Sequence, residues 1–206
     1  MSTSTQPAPG RAGPGNAAND AAGRGLPSLL YGEAEEELRA AVRDLFQERA
    51  GWSAVLARTE TSEPYDSALW RTLAAEVGCA GLLIPESHGG AGASYREAAV
   101  VAEEAGRAVA PVPYLGSAVV ATAAALRAGD AELLSGLAAG TVTAALAVPF
   151  DIRPGGPGLP GGVRVAAPQP GDPAGQARLT GTVSGVADAL PASLLLVPAD
   201  GVPAGL

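Results

Sequence analysis

Residues 81–98 read GLLIPESHGGAGASYREA. A proline and three glycines separate an apolar run from a segment of helical pattern, and a fourth glycine opens the run. No regular element runs through such a stretch, because proline withholds a backbone donor and glycine weakens helix and strand alike. The chain must therefore turn sharply here, and the segments on either side must pack around the turn. The glycines read as shapers of a loop. GGAG lacks the Lys and Ser/Thr of a phosphate-binding loop and follows no strand–helix unit. His88, inside the loop, has no Ser or Cys at triad spacing and reads as an exposed or capping residue.

The flanking segments carry a helical period. In 33–50, Leu38, Ala41, Val42, Leu45 and Phe46 recur at i, i+3, i+4, i+7 and i+8, which places them on one face. Glu33, Glu35, Glu36 and Glu37 lie in the first turn, where they complement the positive end of the helix dipole. A second helix is predicted over 65–77, with Leu69, Trp70, Leu73, Ala74 and Val77 as its buried stripe. A third, over 94–109, opens with the capping box Ser94/Glu97. Residues 114–128 are apolar almost all round, the mark of a helix buried on most sides. A short helix over 130–138 has Asp130 as N-cap and Gly140 as its stop.

The pattern changes after Gly140. Residues 141–150, 163–167, 176–186 and 193–199 read as short strands punctuated by Pro, Gly and Asp. The expected fold class is α+β: an all-helical domain over 32–140 followed by an incomplete antiparallel β domain over 141–206. Residues 1–31, rich in Gly, Pro, Ser and Ala, bury too little surface to order themselves and are expected to form a disordered tail.

Composition excludes several functions. The net charge is −8. A nucleic-acid partner needs a basic face to neutralise its phosphates, and none is supplied. One cysteine permits no intrachain disulfide, which fits a reducing compartment. One Cys and one His make no zinc site, and Cys79 reads as a small buried hydrophobe. No run approaches the ~18 apolar residues of a membrane span. The expectation is a soluble cytoplasmic protein with no metal and no membrane contact.

The order of motifs is similar to that of the N-terminal helical domain of acyl-CoA dehydrogenases. That resemblance rests on Leu73, Gly78, Gly81, Leu82, Leu83, Ile84, Pro85, Glu86, Gly89, Gly90, Gly92 and Ser94, then Glu103, Glu104, Gly106 and Arg107. It covers residues 35–140 and continues more weakly, but colinearly, from 141. It implies a FAD-dependent enzyme that oxidises acyl-CoA to trans-2-enoyl-CoA, assembled as a homo- or hetero-oligomer with another acyl-CoA dehydrogenase subunit. In the family, an aromatic–x–hydrophobic–Thr–Glu–Pro stretch of the first β strand meets the flavin. Leu146, Val148 and Pro149 lie on that stretch and are the expected cofactor-binding residues, with Pro149 standing where the family has Thr. On a later strand, Gly185 and Ala187 occupy the positions of a flavin-packing Trp and Thr. The family's catalytic base is a Glu of a C-terminal helical domain, and the chain reaches Leu206 before it, so no residue is assigned as catalytic. Three readings stay open: part or subunit of the enzyme, a degenerate partner subunit of a heteromer, and an inactive helical remnant.

Overall fold

The computed structural model describes residues 30–152, 162–166 and 177–199. Of the tail expected over 1–31, residues 1–29 lie outside the described residues. The described residues from Glu33 onward form one compact unit.

Helix α1, Glu33–Arg49, buries Val42 and Phe46 and packs along α4, Tyr95–Ala108. Leu38 and Leu45 lean on the same core, as their period predicts. Ser94 and Glu97 form the expected capping box: Ser94 Oγ accepts from the Arg96 amide at 3.1 Å, and Glu97 Oε2 accepts from the Ser94 amide at 2.9 Å. Between α1 and α4 lies a short helix that the sequence period does not reveal, α2, Trp52–Thr59. It buries no residue fully and so leaves no apolar stripe to read. A polar clamp holds it instead, with Arg58 donating to Asp66 Oδ2 at 2.8 Å and to the Tyr65 carbonyl at 3.0 Å.

Asp66 also caps α3, Ser67–Arg71, accepting from the Ala68 and Leu69 amides at 3.1 and 2.9 Å. The predicted helix over 65–77 then widens into a π turn, Thr72–Glu76, closed by the Val77 amide on the Thr72 carbonyl at 3.1 Å. The predicted helix over 114–128 is likewise of two kinds. Tyr114–Ala121 is π-helical, and α5 continues it over Thr122–Ala128. Asp130 caps α6, Ala131–Ala138, through the Leu133 amide at 3.0 Å.

Two apolar clusters result. One gathers Val42, Phe46, Leu69, Trp70, Leu73 and Val101; the other gathers Ile84, Ala121, Leu134, Leu137 and Ala144. Each large side chain so buried contributes about 1.5–3 kcal/mol. The first cluster is flanked by an ion network. Glu104 is 2 % exposed and accepts from Arg39 Nη1 at 3.0 Å, Arg43 Nη2 at 2.7 Å and Arg43 Nε at 3.0 Å. It thereby ties α4 to α1.

The β region differs from the antiparallel expectation. β2, Arg164–Val165, and β3, Leu179–Thr180, are antiparallel, as sequential strands tend to be. β1, Ala144–Leu146, instead pairs in parallel with β4, Leu194–Leu196, in register 144↔194, 145↔195 and 146↔196. The physical reason is the connection: β2 and β3 both lie between the pair, which leaves ample chain for the crossover that parallel pairing needs. The result is two small sheets, one parallel and one antiparallel. Among the described residues no helix is long and apolar enough to cross a membrane.

Candidate functional site

The glycine loop is closed on itself. The amides of residues 89–93 all point inward: Gly89 donates to Glu86 O, Gly90 to Pro85 O, Ala91 to Gly81 O, Gly92 to Ile84 O and Ala93 to Leu82 O, at 2.7–3.2 Å. A phosphate cradle needs free amides, and this loop has committed its own. Gly90 is indispensable to the closure, because a Cβ there would lie 2.0 Å from the Ile84 carbonyl oxygen. His88 sits half-exposed on the rim. Cys79 is fully buried, and burial pushes its thiol up to about 12, so it is no nucleophile. No cluster of His, Cys, Asp or Glu among the described residues could hold a metal.

Leu146, Val148 and Pro149 lie together, half-buried, where β1 runs out into a turn. Their backbone is as closed as the glycine loop. The Ala147 amide donates to Leu196 O at 2.8 Å, Val148 to Leu146 O at 2.7 Å and Phe150 to Gly185 O at 2.8 Å, while Pro149 has no N–H at all. Over 147–150 no amide is left to meet a flavin ring. Gly185 and Ala187, at the other two expected flavin-packing positions, present no aromatic face and no hydroxyl. These residues do not fit a chain that grips flavin by its own β1 turn.

Sequence reasoning missed the junction that joins the strands to the helices. Asp188 adopts left-handed backbone, φ 52°, in the loop before β4. Its Oδ2 accepts from the Gly116 amide at 2.7 Å and its Oδ1 from the Tyr65 hydroxyl at 3.3 Å. Gly116 permits this approach, since a Cβ there would sit 2.6 Å from the Asp188 Cβ. Burial raises the Asp188 carboxyl above its ordinary range, against the two hydrogen bonds that stabilise its charge. The one available signal was a glycine where the surrounding helix is Ala- and Val-rich. A second tie lies beside it, with Ser117 Oγ accepting the Ala144 amide at 3.1 Å, so that the π turn holds the start of β1.

Tyr65 stands between two hollows. One, of about 600 Å³, runs along α3 toward Thr141 and Thr143 and carries Ser67 and Arg71 at its polar side. Trp70 lines it too, its indole N–H buried without an acceptor. The other, of about 660 Å³, lies along the C-terminal half of α4 and is lined there by Ala102, Ala105 and Gly106. The arrangement is a rigid helical wall facing a small strand pair, with apolar space on both sides of the joint.

Residues 32–141 match the family model described as acyl-CoA dehydrogenase, N-terminal domain. Two curated proteins named acyl-CoA dehydrogenase IpdE2 are similar to this chain. That of Mycobacterium tuberculosis is 41 % identical over 120 residues, which is 58 % of this chain and 38 % of that protein. That of Mycolicibacterium smegmatis is 45 % identical over 108 residues, 52 % of this chain and 34 % of that protein. Two solved structures are similar in fold. One is a variant of the Tcur3481-Tcur3483 steroid ACAD, with TM-score 0.64 and 31 % identity over 81 % of this chain and 45 % of that one. The other is the ChsE4-ChsE5 complex from Mycobacterium tuberculosis, with TM-score 0.67 and 26 % identity over 84 % of this chain and 45 % of that one. The chain thus spans less than half the length of these relatives.

Proposed function

The chain belongs to the family of acyl-CoA dehydrogenase N-terminal domains, and on that footing we propose that it is the partner subunit of a heteromeric, FAD-dependent acyl-CoA dehydrogenase. In this reading the assembly oxidises an acyl-CoA carrying a steroid-type ring system to the trans-2-enoyl-CoA. FAD, when bound, supplies the oxidant and belongs to the other subunit. This chain supplies helical scaffold to the assembly over 32–140 and a small β domain from 141. Leu146, Val148 and Pro149 give at most an apolar surface to the neighbouring subunit's flavin, without hydrogen bonds. We place the assembly in the cytoplasm.

The observation that carries the reading is the closed β1 turn, in which every amide from 147 to 150 is engaged or absent. A flavoenzyme subunit would keep donors there. Two further points support it: the structural neighbours include a two-protein complex and a steroid ACAD.

The test is flavin content. The full-length protein is purified alone and after co-expression with a second acyl-CoA dehydrogenase subunit of its own organism. The expected result is a colourless protein alone and flavin absorbance only in the co-purified complex. Stoichiometric flavin on the protein alone would overturn the proposal in favour of a self-sufficient flavoenzyme.

A further inference from the structure

The hollow along α4 has features that a purely internal role leaves unexplained. Along α4 it is lined by the small residues Ala102, Ala105 and Gly106, so the helix backbone lies close to its surface there. It is also lined by large apolar side chains held in water: Leu190 is 82 % exposed, Val109 70 % and Leu115 42 %. Val109 also caps α4 in left-handed backbone, φ 48°. For a β-branched residue that conformation is a genuine outlier, persisting only where the surroundings enforce it. Small residues along the helix, exposed apolar side chains and a strained corner together describe a groove suited to an apolar ridge.

Charge decides what kind of ridge. Asp188 lines the same groove and is half-buried there. Its two hydrogen-bond donors, the Gly116 amide and the Tyr65 hydroxyl, are both neutral. None of the ion pairs among the described residues includes it. The nearby ion network of α4, Glu103 and Glu104 with Arg39, Arg43 and Arg107, extends to Glu36 on α1, and none of these pairs reaches Asp188. A carboxylate in apolar surroundings without a cation is uncompensated, and each of its oxygens keeps a further lone pair.

We infer that this groove is the docking surface for an apolar segment of the partner subunit, and that the segment carries one Arg or Lys to pair with Asp188. The apolar ridge would cover Leu190, Val109 and Leu115 and lie against the small residues of α4. The basic residue would supply the missing cation and fix the register, as charged pairs within apolar interfaces do. This inference rests on the heteromeric reading above and names the surface through which it works.

The test uses the full-length protein co-expressed with its partner subunit. A photo-crosslinking amino acid is placed at position 190, and the cross-linked peptide is identified by mass spectrometry. The expected peptide comes from a second acyl-CoA dehydrogenase chain and holds an Arg or Lys among apolar residues. A peptide from this same chain, from a second copy of it, or no cross-link at all overturns the inference. The companion variant is Asp188→Asn, which keeps an acceptor for the Gly116 amide, and Asn tolerates left-handed backbone. It should fold as the wild type does yet bind the partner at least tenfold more weakly, with a shallower salt dependence. Unchanged affinity overturns the inference while leaving the heteromeric reading intact. Purification alone, with bound flavin, removes both.

Discussion

Glu104 is the one fully buried carboxylate among the described residues, and its environment sets a definite pH dependence. The hydrogen bonds from Arg43 outweigh burial, and with Arg39 behind them they hold the carboxyl below its ordinary range. A depressed carboxylate contributes stability that is fully present above its unfolded pKa of about 4.3 and lost as pH falls through the lower folded value. Glu104→Gln should therefore flatten the acid limb of the stability curve, measured by chemical denaturation at stepped pH. Glu104→Ala should cost about 3–5 kcal/mol near neutral pH, the usual result of breaking a buried pair from one side. Cys79 offers a second residue-scale prediction. With its thiol pushed up to about 12 and fully buried, a thiol reagent at mildly alkaline pH should modify it only at the rate of unfolding. Rapid labelling of the native protein would contradict the packing around α3. Both residues stood out in the sequence, Glu104 within the Glu-Glu-x-Gly-Arg run and Cys79 as the lone thiol. Only the structure reveals that Arg39 and Arg43, 65 and 61 positions earlier, are the partners of Glu104.

At the scale of elements, the glycines divide into those the backbone needs and those it does not. Gly90→Ala would drive a methyl group against the Ile84 and Gly81 carbonyl oxygens, which are backbone and cannot swing aside. The expected loss is about 3 kcal/mol, the upper end for overpacking. Gly106 lies inside α4 with open space where its Cβ would be, so Gly106→Ala should gain about 0.5–1 kcal/mol through helix propensity. Thermal unfolding of the two variants side by side checks both signs. Ser117→Ala removes the acceptor of the buried Ala144 amide and should cost about 1–3 kcal/mol for the orphaned donor. The helices were legible because most bury one face at a period near 3.6, and the caps Ser94 and Asp130 were legible because they act within four residues of themselves; the cap Asp66 went unread. What the sequence hid is of two kinds. α2 buries no stripe and is held by the Arg58 clamp, which leaves no periodic trace. The π turns at 72–76 and 114–121 keep the apolar character of a helix and change only which carbonyl each amide reaches, and composition does not encode that choice.

At the scale of the whole molecule, the strands were legible as strands and illegible as a sheet. Pairing β1 with β4 is a decision between segments fifty residues apart, fixed by the ties of Ser117 to β1 and of Asp188 to Gly116. No local pattern records either. The same non-locality governs the last prediction. In the sequence Pro149 stands where the family has Thr, with Gly185 and Ala187 at the positions of its Trp and Thr, and Pro149→Thr restores the first of these three alone. A threonine at 149 would regain one amide and one hydroxyl, but the Val148 amide is folded back on Leu146 and the Phe150 amide is held by Gly185 across the turn. Gly185 itself has φ 66°, a conformation that a bulky replacement adopts only under strain. Pro149→Thr in the isolated full-length protein should therefore stay colourless after incubation with FAD and dialysis, with a melting temperature that added FAD does not raise. Stoichiometric flavin on this variant would mean that one missing donor had silenced the site. Its absence would mean that the turn as a whole, closed by bonds from β4 and the Gly185 loop, has been given over to structure.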